Sequence, residues 1–245
     1  MKALLLAAGH GSRLRPITLT QPKCLVEIGG KPLLEHWLDS LWITRKFERV
    51  IINTHHLAEK VEAFVSQCGY SSWIELSHEP VLLGSAGTFL AHERALSTGD
   101  FLVAHADNLS LIDWNGFLAA FNGRPTEALG TMMTFRTDTP KSCGIVETDE
   151  RGLLVAMHEK LDYPVGDIAN AAVYMLSPEA FPFIRARAPQ SVADISTDVI
   201  PIMLGRLNTF FNALYHRDIG TEQSLRCARR DVKSWQTSIL TAVHV

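Results

Sequence analysis

Leu4-Leu5-Leu6-Ala7-Ala8-Gly9-His10-Gly11-Ser12-Arg13-Leu14-Arg15-Pro16-Ile17-Thr18, closed by Pro22-Lys23, opens the chain. The apolar run reads as a buried strand. Gly9 and Gly11, one residue apart, allow a loop whose backbone closely approaches a ligand. Arg13, Arg15 and Lys23 then place cations beside that loop. Successive N–H groups in a glycine turn form an anion nest. Arg13 can bridge phosphate oxygens with its fork of donors, and Lys23 adds a point charge. The spacing is not that of the ATPase phosphate loop, because no Gly-Lys-Ser/Thr follows. Nor is it the dinucleotide fingerprint, whose third glycine position is Leu14 here. A bare G-x-G after a strand is equally consistent with a structural tight turn; the bracketing cations favour an anion.

Working outward, strand-like and helix-like runs alternate. Lys2 to Ala8 is the first strand. Pro32 sits in a first helical turn, and Leu33, Leu34, Trp37, Leu38 and Leu41 recur at helical spacing. Val50 to Asn53 is a strand. Leu57, Val61, Phe64 and Val65 mark a helix that stops near Gly69. Trp73 to Leu76 is a strand, Ser85 to Leu96 a helix, and Phe101 to Ala104 a strand that delivers Asp107 at its carboxyl end. This rhythm predicts a mostly parallel sheet covered by helices. Beyond about Leu129, strands follow one another: Leu129 to Phe135, Gly144 to Thr148, Leu153 to Met157 and Ala171 to Leu176, with Asp149-Glu150-Arg151-Gly152 as a hairpin turn. Helices are expected at Pro178 to Arg187 and Thr197 to Leu204, a strand at Thr209 to Tyr215, and a helix from Thr221. The fold class is therefore α/β, a Rossmann-like mixed sheet flanked by helices with a small antiparallel insertion. The absence of a linker predicts one domain over residues 1–245. In open α/β sheets ligands sit outside the carboxyl ends of strands, which places the opening loop and Asp107 together.

Composition bounds the function. With 245 residues, 47% hydrophobic and 20% charged, the chain is long enough for one large core. A formal net charge of −3 argues against a general nucleic-acid surface. No apolar run reaches the length of a transmembrane helix, and Arg13 and Arg15 interrupt any leader-like stretch. A cytoplasmic protein without membrane partners is the expectation. Cys24, Cys68, Cys143 and Cys227 are scattered, so neither a zinc site nor a disulfide framework is suggested.

Gly9-x-Gly11-x-Arg13-Leu14-x-Pro16-Ile17-Thr18 with Pro22-Lys23 resembles the signature of the sugar-1-phosphate nucleotidylyltransferases, although Cys24 stands where the family commonly has proline. The resemblance continues through nearly the whole chain. Leu83-Gly84-Ser85-Ala86-Gly87-Thr88 resembles L-G-T-A-G, which packs against the base; Ser85 also suits a helix cap. His105-Ala106-Asp107-Asn108 resembles the family's segment with a metal-binding aspartate after a central strand, with Ala106 for the usual preceding glycine, and Arg217-Asp218-Ile219-Gly220-Thr221 resembles D-I-G-T, whose aspartate is the second metal ligand in that family. Cys143-Gly144 resembles Y-G. His158-Glu159-Lys160-Leu161 resembles E-K-P, and Asn170-Ala171-Ala172-Val173-Tyr174 resembles N-A-G-I-Y with alanine for glycine. The family's assignments fall on Arg13 and Lys23 as catalytic groups. Leu6, Ala7, Ala8, Gly9, Gly11, Ser12, Asn53, Gly84 and Ser85 fall on the nucleotide. Asn108, Gly144, Glu159, Lys160 and Asn170 fall on the sugar phosphate. Asp107 and Asp218 would hold Mg2+.

The implied reaction joins a nucleoside triphosphate to a sugar 1-phosphate and releases pyrophosphate. A phosphate oxyanion is already a nucleophile at neutral pH, so no activated serine, cysteine or histidine is needed. Positioning and charge neutralisation should dominate. Asn53-Thr54-His55-His56-Leu57 and Leu83-Gly84-Ser85-Ala86-Gly87 are most similar to guanylyltransferases acting on mannose 1-phosphate or D-glycero-D-manno-heptose 1-phosphate. Uridylyl transfer to an amino-sugar phosphate is the nearest alternative, with cytidylyl transfer to choline phosphate and thymidylyl transfer to glucose 1-phosphate behind it. A non-catalytic nucleotide-sugar-binding subunit is the alternative from another class, and a metallohydrolase built on His105-x-Asp107 is a third. His55-His56 suits a substrate-side loop or plain surface better than a metal pair, and Trp37, Trp42 and Phe64 suit the core. Many relatives add a C-terminal β-helix; no hexapeptide repeat occurs here, so that activity is expected to be absent. The tail with Trp235, Ile239 and Leu240 suits a docking helix or a homodimer contact.

Overall fold

The computed structural model of the chain describes residues 1–163, 165–188 and 193–242; beyond residue 235 only the helical backbone is described. The side chains of Ile239 and Leu240 lie outside the described residues. In chain order the strands are β1 (Lys2–Leu6), β2 (Glu27–Ile28), β3 (Lys31–Pro32), β4 (Arg49–Thr54), β5 (Ile74–His78), β6 (Phe101–His105) and β7 (Asn108–Leu111). They continue with β8 (Gly130–Arg136), β9 (Gly144–Thr148), β10 (Leu154–Glu159), β11 (Ile168–Leu176), β12 (Leu207–Phe211) and β13 (Tyr215–Asp218). The helices are α1 (Ile17–Thr20), α2 (Leu33–Thr44), α3 (Ala58–Gln67), α4 (Gly84–Ala91), α5 (Glu93–Leu96), α6 (Trp114–Asn122), α7 (Ala180–Arg185) and α8 (Glu222–Ala242).

The main sheet runs β10-β9-β11-β6-β1-β4-β5, with β8 along the other edge of β11 and β12 beside β8. Its first-half strands β6, β1, β4 and β5 are parallel, whereas β11 is antiparallel to β6, β8 and β9. Of these, β6, β1 and β4 are buried on both faces, which is why they carry apolar runs, whereas the edge strand β5 is only partly buried. Alternation still sorts the side chains. Ala3, Leu5, Val50, Ile52, Leu102 and Ala104 pack with Trp37, Leu38 and Leu41 of α2, Val61 and Val65 of α3, and Phe117 and Phe121 of α6. Leu4, Ile51, Phe101 and Val103 pack with Phe89 of α4 and with Phe181 and Ile184 of α7. Phe181 stacks on both Phe89 and Phe101, at 4.8 and 5.2 Å between ring centres. Full burial of each such ring stabilises by about 1.5–3 kcal/mol. A third apolar cluster joins Leu14 of the opening loop, Val26 and Ile28, Leu109 and Ile219 to Leu225, Ala228 and Val232 of α8.

Several expectations change in detail. The strand expected over 209–215 is two: β12 runs parallel to β8, and after a turn β13 pairs antiparallel with β7, which periodicity did not reveal. Asn212, inside the turn, donates to the carbonyls of Leu111 and Tyr215 and so pins the break. The helix expected over 197–204 is a five-residue π turn at Ile195–Val199 followed by a 3-10 turn at Ile200–Met203, because Pro201 removes a backbone donor. The Ser85–Leu96 helix breaks at His92 into α4 and α5. Pro32 precedes α2 as its N-cap rather than occupying its first turn. Helix α6, capped by Asp113 through the Gly116 N–H, went unread in the sequence. Trp37 is core, while Trp42 stays 38% exposed under the Arg45 guanidinium.

Candidate active site

The register of the parallel strands sets the site. Leu6 at the end of β1 pairs with Asn53 of β4 and with His105 of β6, so three strands release their loops at one level. The resulting cleft has two parts. The smaller, about 290 Å³, is lined by Leu6, Ala7, Ala8, Gly9, Gly11, Ser12, Asn53, Gly84 and Ser85, with Arg13, Lys23 and Asp107. The larger, about 1330 Å³, is lined by Asn108, Gly144, Glu159, Lys160 and Asn170, with Arg13, Asp107 and Asp218. Arg13 and Asp107 therefore stand at the junction.

Lys23 lies in that junction and is nearly sealed from solvent, 6% exposed. Its Nζ donates to Asp107 Oδ2 at 2.6 Å and to Asp218 Oδ1 at 3.3 Å. Arg13 Nη2 reaches Asp218 Oδ2 at 3.8 Å. The two aspartates come from opposite halves of the chain, joined by the β7–β13 pairing that sets Asp218 against Asn108. The Ile219 N–H donates to the Asp107 carbonyl at 3.1 Å and fixes the junction. Gly220 is needed for close approach: a Cβ there would lie 2.5 Å from Asp218 Oδ2 and 2.9 Å from Arg13 Nη2. Burial would raise the Asp107 carboxyl, but the Lys23 ammonium and His105 hold it down at about 2. Burial would lower Lys23, and the two carboxylates outweigh that and raise it. Both partners are thus charged at neutral pH. Cys24, buried beside Lys23, is pushed up to about 12 by desolvation, so it stays a thiol.

Not every side chain at the cleft presents its polar end to it. Asn53 Oδ1 accepts the Ala7 N–H at 2.6 Å, and its amide donates to Glu79 Oε1 at 2.8 Å and Thr88 Oγ1 at 3.2 Å. It braces the loop from behind. Asn108 is 4% exposed and donates to the Ala171 carbonyl at 3.2 Å. On the larger side, β10 and β9 pair Glu159 with Gly144. Asn170 donates to the Tyr174 hydroxyl at 2.8 Å and accepts the Ala172 N–H at 2.8 Å, across a bulge in the β11–β8 ladder. Ala172 there has φ 52°, a left-handed conformation that glycine, but not alanine, adopts at no steric cost. His55 and His56 bond the backbone carbonyls of Glu79 and Thr18 and pack against His10. Among the described residues no group of three or more His, Cys, Asp or Glu side chains is arranged to hold a metal.

The sequence profile described as "Nucleotidyl transferase" matches residues 2–234. The chain belongs to the nucleotidyl transferase family. This nucleotidyl transferase chain is 31% identical over 208 residues to the mannose-1-phosphate guanylyltransferase catalytic subunit beta of Dictyostelium discoideum, covering 83% of the chain and 56% of that protein. It is 30% identical over 229 residues to the mannose-1-phosphate guanyltransferase of Candida albicans, covering 90% of the chain and 61% of that protein. The chain thus spans between half and two thirds of the length of the curated relatives it matches. Its fold is that of a Bacillus anthracis protein described as a glucose-1-phosphate thymidylyltransferase and crystallised with sucrose. The TM-score is 0.82 at 21% identity, over 94% of both chains.

Three residues at or behind this candidate site escaped the sequence reading. Glu79, 3% exposed, accepts from Asn53, Thr88 and the Leu83 N–H. It sits just past the carboxyl end of β5, the same signal that marked Asp107. His216 lines the larger cleft against Phe135 and bonds Ser110 Oγ at 2.7 Å; desolvation holds it down at about 3, a neutral imidazole. Asp194 lines that cleft too, in a segment without apolar periodicity to announce it. None of the described helices is long and apolar enough to cross a membrane.

Proposed function

We propose that the chain transfers a guanylyl group from GTP to mannose 1-phosphate or D-glycero-D-manno-heptose 1-phosphate, giving the nucleotide sugar and pyrophosphate. The observation that carries this reading is the Arg13–Lys23–Asp107–Asp218 cluster at the junction of two subsites, one behind a glycine loop and one floored by Glu159, Lys160 and Asn170. The mannose-1-phosphate guanylyltransferase names of the relatives support the choice of base and sugar.

In the proposed reaction a non-bridging oxygen of the sugar phosphate attacks the α-phosphorus in line. The new O–P bond forms as the bond to the bridging oxygen of the β-phosphate breaks, and pyrophosphate leaves with the electron pair. No proton is abstracted, consistent with a cleft in which Cys24 is a thiol and His216 a neutral imidazole. Arg13 and Lys23 hold and neutralise the triphosphate, and Lys160 the sugar phosphate. The backbone of residues 8–12 supplies N–H donors at the glycine turn.

The carboxylates fit a magnesium ion. Asp107 and Asp218 converge from two elements on one point, which the Lys23 ammonium marks as a cation position. Two hard oxygen donors completed by phosphate oxygens and water suit Mg2+ rather than a softer metal. When bound, the ion would neutralise charge on both phosphate groups. The test is a matrix of four nucleoside triphosphates against a set of sugar 1-phosphates, read by pyrophosphate release with Mg2+. GTP with a manno-configured sugar is expected to be the best pair. Preference for UTP with an amino-sugar phosphate would overturn the choice of substrate, and release from no pair would overturn the enzyme.

A further inference from the structure

The two subsites are tied together behind the cleft by a segment that the reaction chemistry does not use. Ser85 belongs to the smaller subsite, while Asp194, Ser196 and Thr197 line the larger one. Between them, the Ser85 hydroxyl donates to Asp194 Oδ2 at 3.2 Å and accepts the Ile195 N–H at 2.8 Å. Asp194 Oδ1 accepts the N–H groups of Ser196 and Thr197 at 2.8 and 3.2 Å. Asp198 fixes the start of the segment by accepting from the N–H groups of Ala193 and Asp194. The backbone repeats the tie: the Ala86 N–H donates to the Ala193 carbonyl at 3.1 Å. Gly84 has φ 76°, and a Cβ there would lie 2.2 Å from the same carbonyl. Only glycine lets the loop approach so closely. The Tyr174 phenol, 2% exposed, interacts with Ser196 and accepts from Asn170 Nδ2 at 2.8 Å. A polar path thus runs Ser85–Asp194–Ser196–Tyr174–Asn170, from the loop that lines the smaller subsite to a residue that lines the larger one.

We propose that Asp194 is a positioning residue whose bond to Ser85 couples the two subsites, so that the geometry of the Gly84–Ser85 loop on the nucleotide side sets the sugar side. A carboxylate acceptor suits this task. It satisfies two backbone donors and a hydroxyl at once, and charge-assisted bonds of this kind are about twice as strong as neutral ones. The proposal rests on the assignment of the two subsites made above.

The experiment uses the full chain with Ser85→Ala, Ser85→Thr, Asp194→Ala and the Ser85→Ala/Asp194→Ala double variant. Triphosphate affinity is read by displacement of a fluorescent GTP analogue, and the KM of the sugar 1-phosphate is read at saturating triphosphate. Each alanine variant is expected to weaken the triphosphate roughly tenfold and to raise the sugar KM roughly fivefold, with kcat within about threefold, the scale of one charge-assisted hydrogen bond. The double variant should match a single variant rather than multiply the two losses. Ser85→Thr, which keeps the hydroxyl, should restore both. A merely structural role would reduce the active fraction, lowering kcat and leaving both affinities unmoved. Multiplying losses in the double variant, or a sugar KM unchanged while triphosphate binding falls, would overturn the coupling. Lack of turnover in the wild type would instead contradict the proposed function.

Discussion

Lys23 is the residue on which the site turns. Its ammonium is nearly buried, yet it is charged because two carboxylates face it. It also stands on the point at which those carboxylates would hold a divalent ion. In the proposed site a metal would therefore compete with the lysine for that position. Lys23→Met, measured by Mn2+ electron paramagnetic resonance without nucleotide, is expected to bind Mn2+ at least about tenfold tighter than the wild type while turnover falls about 100-fold or more. The same pair predicts an acid limb. Asp107 titrates near 2 in the fold against ~4 when unfolded, so the unfolded chain takes up protons first as pH falls. The stability this carboxylate contributes is complete above pH ~4 and is lost towards pH ~2. Asp107→Asn should flatten that part of a chemical-denaturation profile. At this scale the sequence was informative where chemistry is local: a glycine turn flanked by cations can be read from the chain itself. It was silent on Glu79 and Asp194, because what they do is set by partners distant in the chain.

At the scale of elements, parallel strands aligned at their carboxyl ends do most of the work, and their apolar runs were legible. The second half was less so. Strands β7 and β13 are four residues each and pair only with one another, so neither carries enough alternation to be recognised. Their pairing nevertheless brings Asp218 to Asp107. The bulge of β11 is the other element that periodicity does not specify, since it inserts a conformation rather than a residue type. Ala172 occupies that bulge at φ 52°. Relief of its strain by Ala172→Gly, offset by the greater freedom of glycine in the unfolded chain, should stabilise by about 0.5–1 kcal/mol. Denaturation midpoints check this, with the sugar KM expected to stay unchanged. A lower midpoint would mean that the bulge is better held by a Cβ than its backbone suggests.

Across the whole molecule, a net charge of −3 coexists with a cleft in which Arg13, Lys23 and Lys160 stand among the carboxylates Asp107, Glu159 and Asp218, so charge there is balanced locally rather than by the molecule as a whole. Helix α8 closes the arrangement. Leu225, Ala228 and Val232 bury against Leu14 and Ile219, which flank the two charged ends of the junction. Tyr215 donates to Asp231 of that helix at 2.9 Å and meets Trp235 edge-on. The junction cluster is proposed to transfer a nucleotidyl group. Its most direct test is pyrophosphate release from GTP and a manno-configured sugar 1-phosphate with Mg2+, measured for the wild type and for Asp218→Asn with circular dichroism as the check on folding. One pyrophosphate per nucleotide sugar from the wild type, and a loss of about 100-fold or more in a folded Asp218→Asn, is the predicted result; unchanged turnover in that variant, or no release by the wild type, would contradict it.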